Sequence, residues 1–259
     1  MAAMLSWPCR RMGLICLVSS VPAMFGQPGA RSIFDGKTTN GWIEAGGGPF
    51  PDSSWEIQDG CLHALPGAKK QSDLWTAQSY RNFELSFAWR IAPGGNSGVK
   101  FDVLKPARGI VENGKWLGGM DKRVVGRDQV IVTGSVGMEY QLVDDARHPD
   151  GAHPIKRTAA LYDLLAPIKA APAAVGTMNR SRIVARGMEV EFWLNGTRVL
   201  NSRIDSKTVQ DRVKTAWGQD EVRVVLDGRM SRHPIALQHH GDSVWFCEIH
   251  VTEFPDSKN

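Results

Sequence analysis

Apolar side chains recur at every second position through the clearest segment of the chain: Phe83, Leu85, Phe87, Trp89 and Ile91. A period of two puts all five on one face of an extended strand. Residues 138–143 repeat the pattern, with Met138, Tyr140 and Leu142 on one face and Glu139, Gln141 and Val143 on the other. Residues 55–58 and 61–65 flank Asp59-Gly60, and residues 190–194 and 197–201 flank Asn195-Gly196. Both dipeptides predict two-residue hairpins, because such turns need residues that tolerate a left-handed backbone. Shorter strands are expected at residues 99–101, 181–185, 234–238 and 244–254. Pro93-Gly94-Gly95-Asn96 supplies the stop signal before the first of these. Helix signals are limited to single turns at residues 161–165 and 206–211. Many short strands with turns about every ten residues predict an all-β sandwich or barrel.

Two stretches fall outside this pattern. Residues 105–136 are rich in Gly, Lys and Arg and show no clean alternation, so they read as a long loop inserted beside a binding face. At the N-terminus, Arg10 and Arg11 precede an apolar run at residues 12–21 and the small-residue sequence Val21-Pro22-Ala23. The run is too short to cross a bilayer of ~30 Å as a helix. It predicts a cleavable signal peptide over residues 1–26 and a periplasmic or secreted protein, with residues 27–259 forming one domain.

Composition removes other classes. The formal net charge is +4, and Arg10 and Arg11 supply two of those positive charges. What remains is too weak and too evenly mixed for a nucleic-acid partner. No later segment is apolar enough to span a membrane, and no nucleotide-cofactor motif is present. Cys61 and Cys247 remain after the leader. A lone cysteine on a strand is most often a small buried hydrophobe, although an oxidising compartment would allow the two to pair.

The polar residues that interrupt the strands are the candidate chemistry. Glu139 and Gln141 share a face, and Asp144, Asp145 and His148 follow directly in the next loop. Carboxylates and an imidazole converging at a strand end suit acid–base work or a divalent metal. Asn96, Ser97 and Lys100 lie at the start of a short strand, and Gln238 and His240 at the turn before the last one; Asn96, Ser97, Lys100, Gln141 and Gln238 are candidate substrate contacts. Among the nine tryptophans, Trp116 and Trp217 lie in loop-like stretches and are the better candidates for stacking on a sugar ring.

Several of these segments together resemble the 3-keto-disaccharide hydrolase domain, also described as a 3-ketoglycoside lyase/hydratase. They run in order from Ile33-Phe34-Asp35-Gly36-Lys37, Trp55-Glu56-Ile57 and Gly95-Asn96-Ser97-Gly98-Val99 to Glu139-Tyr140-Gln141-Leu142-Val143-Asp144-Asp145. His148-Pro149-Asp150, Leu161-Tyr162-Asp163-Leu164, Leu194-Asn195-Gly196 and Leu237-Gln238 with His240-Gly241 complete the set. At the last strand Cys247 and Glu248 replace the Arg-Asn pair usual in that family, and Met178 replaces a common Trp.

The resemblance implies a concanavalin-like jelly roll and a carbohydrate substrate carrying a 3-keto group, which an upstream glycoside 3-oxidoreductase would have to supply. It implies cleavage by removal of the C2 proton, β-elimination and hydration. Glu139, His240, Tyr162 and Asp144 are then the expected catalytic residues, with Glu139 and His148 as ligands to one divalent metal. A non-catalytic carbohydrate-binding module on the same sandwich is the alternative. A laminarinase-type hydrolase ranks third, because Glu189 and Glu191 share a strand face without a further acidic partner.

Overall fold

The computed structural model describes residues 29–112, 115–116 and 129–256. The expected leader, with Cys9 and Cys16, lies outside the described residues, as does the side chain of Trp116. The strands are β1 (Arg31–Ser32), β2 (Trp42–Glu44), β3 (Trp55–Gln58), β4 (Cys61–Ala64), β5 (Lys70–Ser72), β6 (Leu74–Tyr80), β7 (Phe83–Ile91), β8 (Asn96–Glu112), β9 (Lys115–Trp116), β10 (Gln129–Val143), β11 (Asn179–Arg186), β12 (Glu189–Leu194) and β13 (Thr197–Arg203). Two helices follow, α1 (Lys207–Ala216) and α2 (Glu221–Arg229), before β14 (His233–Leu237) and β15 (Val244–Glu253).

The strands form two sheets. One runs β13-β12-β11-β7-β15-β4-β3 with β1 beside β15, and the other runs β2-β6-β14-β8-β10-β5 with β9 beside β8. The expected jelly-roll-like sandwich is therefore present. Its core lies where alternating positions of both sheets meet. Phe87, Trp89, Phe192 and Phe246 come from the first sheet, and Leu74, Val99, Phe101 and Tyr140 from the second. Tyr140 packs edge-on against Phe192 at 4.8 Å, its hydroxyl lies 2.9 Å from Ser181 Oγ, and Trp89 Nε1 donates to the same oxygen at 2.8 Å, so both polar atoms of this aromatic cluster are satisfied.

Both short hairpins form where the turn residues predict. Asp59 and Gly60 have φ of 52° and 76°, and Asn195 and Gly196 have 46° and 87°. Positive φ at both central positions is the geometry that matches the twist of the flanking strands.

Of the expected loop at 105–136, residues 105–112 and 129–136 instead extend the second sheet, while residues 113–114 and 117–128 lie outside the described residues. β8 continues to Glu112 and β10 begins at Gln129, with Val111 opposite Val130 and Ile110 opposite Ile131. The alternation was hard to read because much of this hairpin is only half-buried on both faces, so neither face is uniformly apolar. α1 is also longer than one turn. Ser206 caps it, accepting from Val209 N, and Val209 and Val213 dock it on the core. α2, unforeseen in the sequence, carries the fully buried Arg229.

Cys61 and Cys247 form a disulfide across a sequence separation of 186 residues. They lie on the outer face of the first sheet beside the small Ala88. Cys247 thus has a bonded partner, and Glu248 next to it makes a two-pronged ion pair with Arg180 at 2.6 and 3.2 Å. The two departures from the family pattern are internally accounted for, while Met178 is simply exposed. Closing so long a loop restricts the unfolded chain, so replacing both cysteines by alanine should cost about 2–4 kcal/mol. Equilibrium denaturation of the double variant checks this, and an unchanged midpoint would refute it.

Candidate active site

The second sheet turns its inner face to the core and its other face outward. Strand register sets one row across that other face. Trp75 on β6 pairs with Ala236 on β14, Ala236 with Lys100 on β8, and Lys100 with Glu139 on β10. Asn96, Gly98 and Lys100 share this face by alternation, as do Glu139 and Gln141.

Lys100 and Glu139 form the centre. Lys100 Nζ donates to Ser135 O at 3.0 Å and stands 3.6 Å from Glu139 Oε2. Both side chains are nearly buried. Burial pushes the Glu139 carboxyl up to about 6, against the pull of Lys100 and with help from the nearby Asp73 charge. Burial disfavours the Lys100 ammonium, but Glu139 and Asp73 outweigh it and raise its pKa, so the lysine stays charged. Gly98 makes this packing possible. A Cβ there would meet Glu139 Oε1 at 2.3 Å, so the carboxylate lies over a position that only glycine leaves open.

The loops bring further groups to this row. The segment after β10 folds back beside it, with Tyr162 N donating to Glu139 O at 3.0 Å and Gln141 N to Ala160 O at 3.1 Å. This fixes Tyr162 next to Glu139. Its hydroxyl donates to Asp150 Oδ2 at 3.0 Å, and burial followed by the Asp150 charge raises its pKa. The proton of Tyr162 is therefore already committed to Asp150. The turn before β15 brings in His240. Desolvation lowers its pKa although the residue is exposed, and the positive charge of Lys100 adds to the effect against Asp242. The neighbouring His239 holds that turn. It donates N–H to Asp73 Oδ1 at 2.9 Å and accepts from Gly241 N at 3.2 Å, and burial drives its pKa down to about 4.

Not every expected residue joins the cluster. Asp144 accepts from Gly94 N at 2.8 Å, Ala146 N at 3.1 Å and Arg147 N at 3.3 Å, which caps the turn after β10 and lowers its pKa in spite of burial. Ser97 is fully buried and donates to Gln238 O at 2.9 Å, so it ties two strands together. Gln238 donates its N–H to Gly98 O at 2.9 Å and so continues β14 along the site. Trp217 lies at the end of α1, where it lines a small hollow with Asp102, Leu104, Val136 and Met138. The sequence reading missed Asp73, Ser135 and Trp75. Trp75 Nε1 donates to Ser135 Oγ at 2.6 Å, which holds the indole on the same face as Lys100.

The donor set does not fit a metal held jointly by Glu139 and His148. The Lys100 ammonium already faces Glu139. His148 Nδ1 accepts from Asp150 N at 3.1 Å and Nε2 lies 3.4 Å from the Asn96 amide, so both ring nitrogens are engaged. Among the described residues no group of three or more His, Cys, Asp or Glu side chains gathers for a metal ion.

Comparison with known proteins adds a family. The sequence profile of the 3-keto-alpha-glucoside-1,2-lyase-like domain matches residues 29–252. A Bacteroides thetaiotaomicron protein named 3-keto-disaccharide hydrolase is 30% identical over 236 residues, covering 85% of this chain and 77% of its own length. A crystal structure from Parabacteroides distasonis, described as a candidate glycosyl hydrolase, superposes with a TM-score of 0.64 at 22% identity, covering 88% of this chain and 94% of that one. Another from the same organism, described likewise, reaches 0.53 at 22% identity, with 83% and 100% covered. These structural likenesses support the sandwich.

Proposed function

The chain belongs to the 3-keto-alpha-glucoside-1,2-lyase-like family, and from that premise we propose that it cleaves 3-keto glycosides by elimination followed by hydration. The observation that carries the reading is the pairing of Glu139 with Lys100: a carboxylate tuned to about 6 beside a charged lysine, on the outer face of the second sheet.

A 3-keto group acidifies the C2 hydrogen, because the electron pair left behind spreads onto the C3 oxygen. Glu139 takes that proton; a base near neutrality balances availability against strength. Ser135 O and Glu139 engage two of the three Lys100 hydrogens, and the third is free to hold the C3 oxygen as negative charge develops there. The enolate then restores the C3 carbonyl, forms the C1–C2 double bond and expels the C1 oxygen. His240 is placed to deliver a proton to that leaving oxygen or to draw one from water. Addition of water across the new double bond returns hydroxide to C1 and a proton to C2, which completes a net hydrolysis. Trp75 offers an aromatic face for the sugar ring. No step is assigned to a metal.

The chemistry places the enzyme after an oxidation. A reaction that removes hydride from C3 of an ordinary glycoside must supply the substrate. Export through residues 1–26 belongs to the same proposal, and the Cys61–Cys247 disulfide supports it, since such bonds persist in oxidising compartments.

The test is a paired assay. The purified protein should consume a 3-keto disaccharide and leave the unoxidised parent untouched. Equal cleavage of the parent would overturn the mechanism. A binding-only module would retain the keto sugar without turning it over.

A further inference from the structure

Glu139 does not stand alone. A line of side chains runs from its Oε1 back through Gln141 and Asn96 to His148, and their hydrogen-bonding leaves one consistent polarity. His148 Nδ1 accepts the Asp150 N–H at 3.1 Å. A ring nitrogen that accepts carries no proton, so the proton of the neutral ring is on Nε2. The Asn96 amide lies 3.4 Å from that Nε2, so its oxygen must face the histidine. Its nitrogen then faces Gln141, 3.2 Å away, and the Gln141 oxygen must accept it. The Gln141 nitrogen is left to donate to Ser97 O at 2.9 Å and to Glu139 Oε1 at 3.0 Å. The orientation of an amide is set by its partners, and here each partner decides the next. Gln141 is completely buried and Asn96 nearly so, so water does not relieve a wrong polarity.

We propose that His148, Asn96 and Gln141 form a one-way chain of donors that ends on Glu139 Oε1, pins that oxygen over Gly98, and leaves Oε2 on the Lys100 side as the atom that meets the substrate. The three are positioning residues in this scheme. The inference deepens the assignment of Glu139 as base and rests on it. It also gives the loop after β10 a purpose: the turn that presents the Asp150 N–H to His148 sets, by way of Asn96 on β8, the direction of a bond back on β10.

One substitution reverses the chain with little change of shape. In Asn96→Asp the new carboxylate only accepts. It takes the His148 Nε2–H and the Gln141 N–H together, so Gln141 turns its oxygen onto Glu139 and Ser97 O. Acceptor then faces acceptor at the base. We expect kcat on the keto sugar to fall by about tenfold or more, as misplacement of a reacting group does, with KM nearly unchanged. His148→Phe removes the first donor, and His148→Gln, which can donate to Asn96 again, should recover most of what Phe loses.

The side-chain amide of Gln141, followed by 15N–1H NMR, reads the polarity directly. One of its protons should show the downfield shift of a carboxylate-bound amide in the native protein and in His148→Gln, and lose it in Asn96→Asp. Unchanged kcat in Asn96→Asp, equal losses in His148→Gln and His148→Phe, or a native Gln141 amide without that shift would each overturn the chain. If Asn96→Asp fails to fold, the native and His148→Gln spectra still decide. If the native protein does not turn over the keto sugar, the catalytic reading fails by itself, while the Gln141 resonance still reports whether the chain exists.

Discussion

Replacing Glu139 by glutamine should lower kcat on a 3-keto disaccharide by about 10²–10⁴-fold, the range that a positioned general base contributes. Glutamine keeps the size of the side chain and can still accept from Gln141, but it cannot take a proton from carbon. The loss should therefore fall on kcat, with circular dichroism and thermal unfolding showing an intact sandwich. The pH profile of the native enzyme carries the same information. Burial holds the Glu139 carboxyl at about 6. The base form is lost as pH falls through that value, so the rate should drop on the acid side with a midpoint near 6. The glutamine variant should lose that limb. A loss of less than tenfold, or an acid limb that survives the substitution, would remove Glu139 from the role.

The second large effect concerns stability. Arg229→Met should destabilise the fold by about 3–5 kcal/mol, the cost of breaking a buried ion pair from one side. Arg229 is completely buried. It donates to Arg81 O at 2.7 Å, to Asp102 Oδ1 at 3.2 Å and to Asn82 Oδ1 at 3.4 Å. It thereby joins α2 to the turn before β7 and to β8, two residues beyond Lys100. Asp102 itself sits in a left-handed conformation, with φ of 51°, where β8 bulges against β10. Methionine would leave its carboxylate buried and unpaired. Burial already raises the Asp102 pKa against the pull of Arg229. Without the guanidinium, protonation at low pH should restore part of the lost stability, so the deficit measured by urea unfolding should shrink as pH falls. Substituting Asp102 by asparagine in the same chain, which removes the charge and tolerates the left-handed backbone, should recover more of it. A single variant as stable as the native protein would show that the pair adds nothing.

The sequence made the sandwich legible wherever one strand face met the core and the other did not. β7 and the end of β10 alternate cleanly because Phe87 and Tyr140 point inward while Ser86 and Glu139 point outward. The same period of two exposed Glu139 and Gln141 as candidates. The two Asx-Gly turns could be read because their backbone admits few residues. Other features depend on distance along the chain. No local pattern announces that Cys61 meets Cys247, or that Arg229 reaches Asp102. Trp75 carries no signal of its own in the sequence, since only the register of β6 against β14 reveals which face it occupies. Asp73, one acid before a strand, carries no signal until the turn at His239 closes over it. Asp144 is the reverse case: its place in a conspicuous acidic run suggests chemistry, while its three backbone N–H partners make it a cap.

The place of β15 in the first sheet sets an order in time. It lies between β7 and β4 and also receives β1, yet it is the last strand in the sequence. Until residues 244–253 are available, β3 and β4 have nothing to attach to on that side, and Cys61 has no partner. The sheet therefore cannot close progressively behind synthesis. It needs β15 to join strands far apart in the chain, a topology that folds slowly.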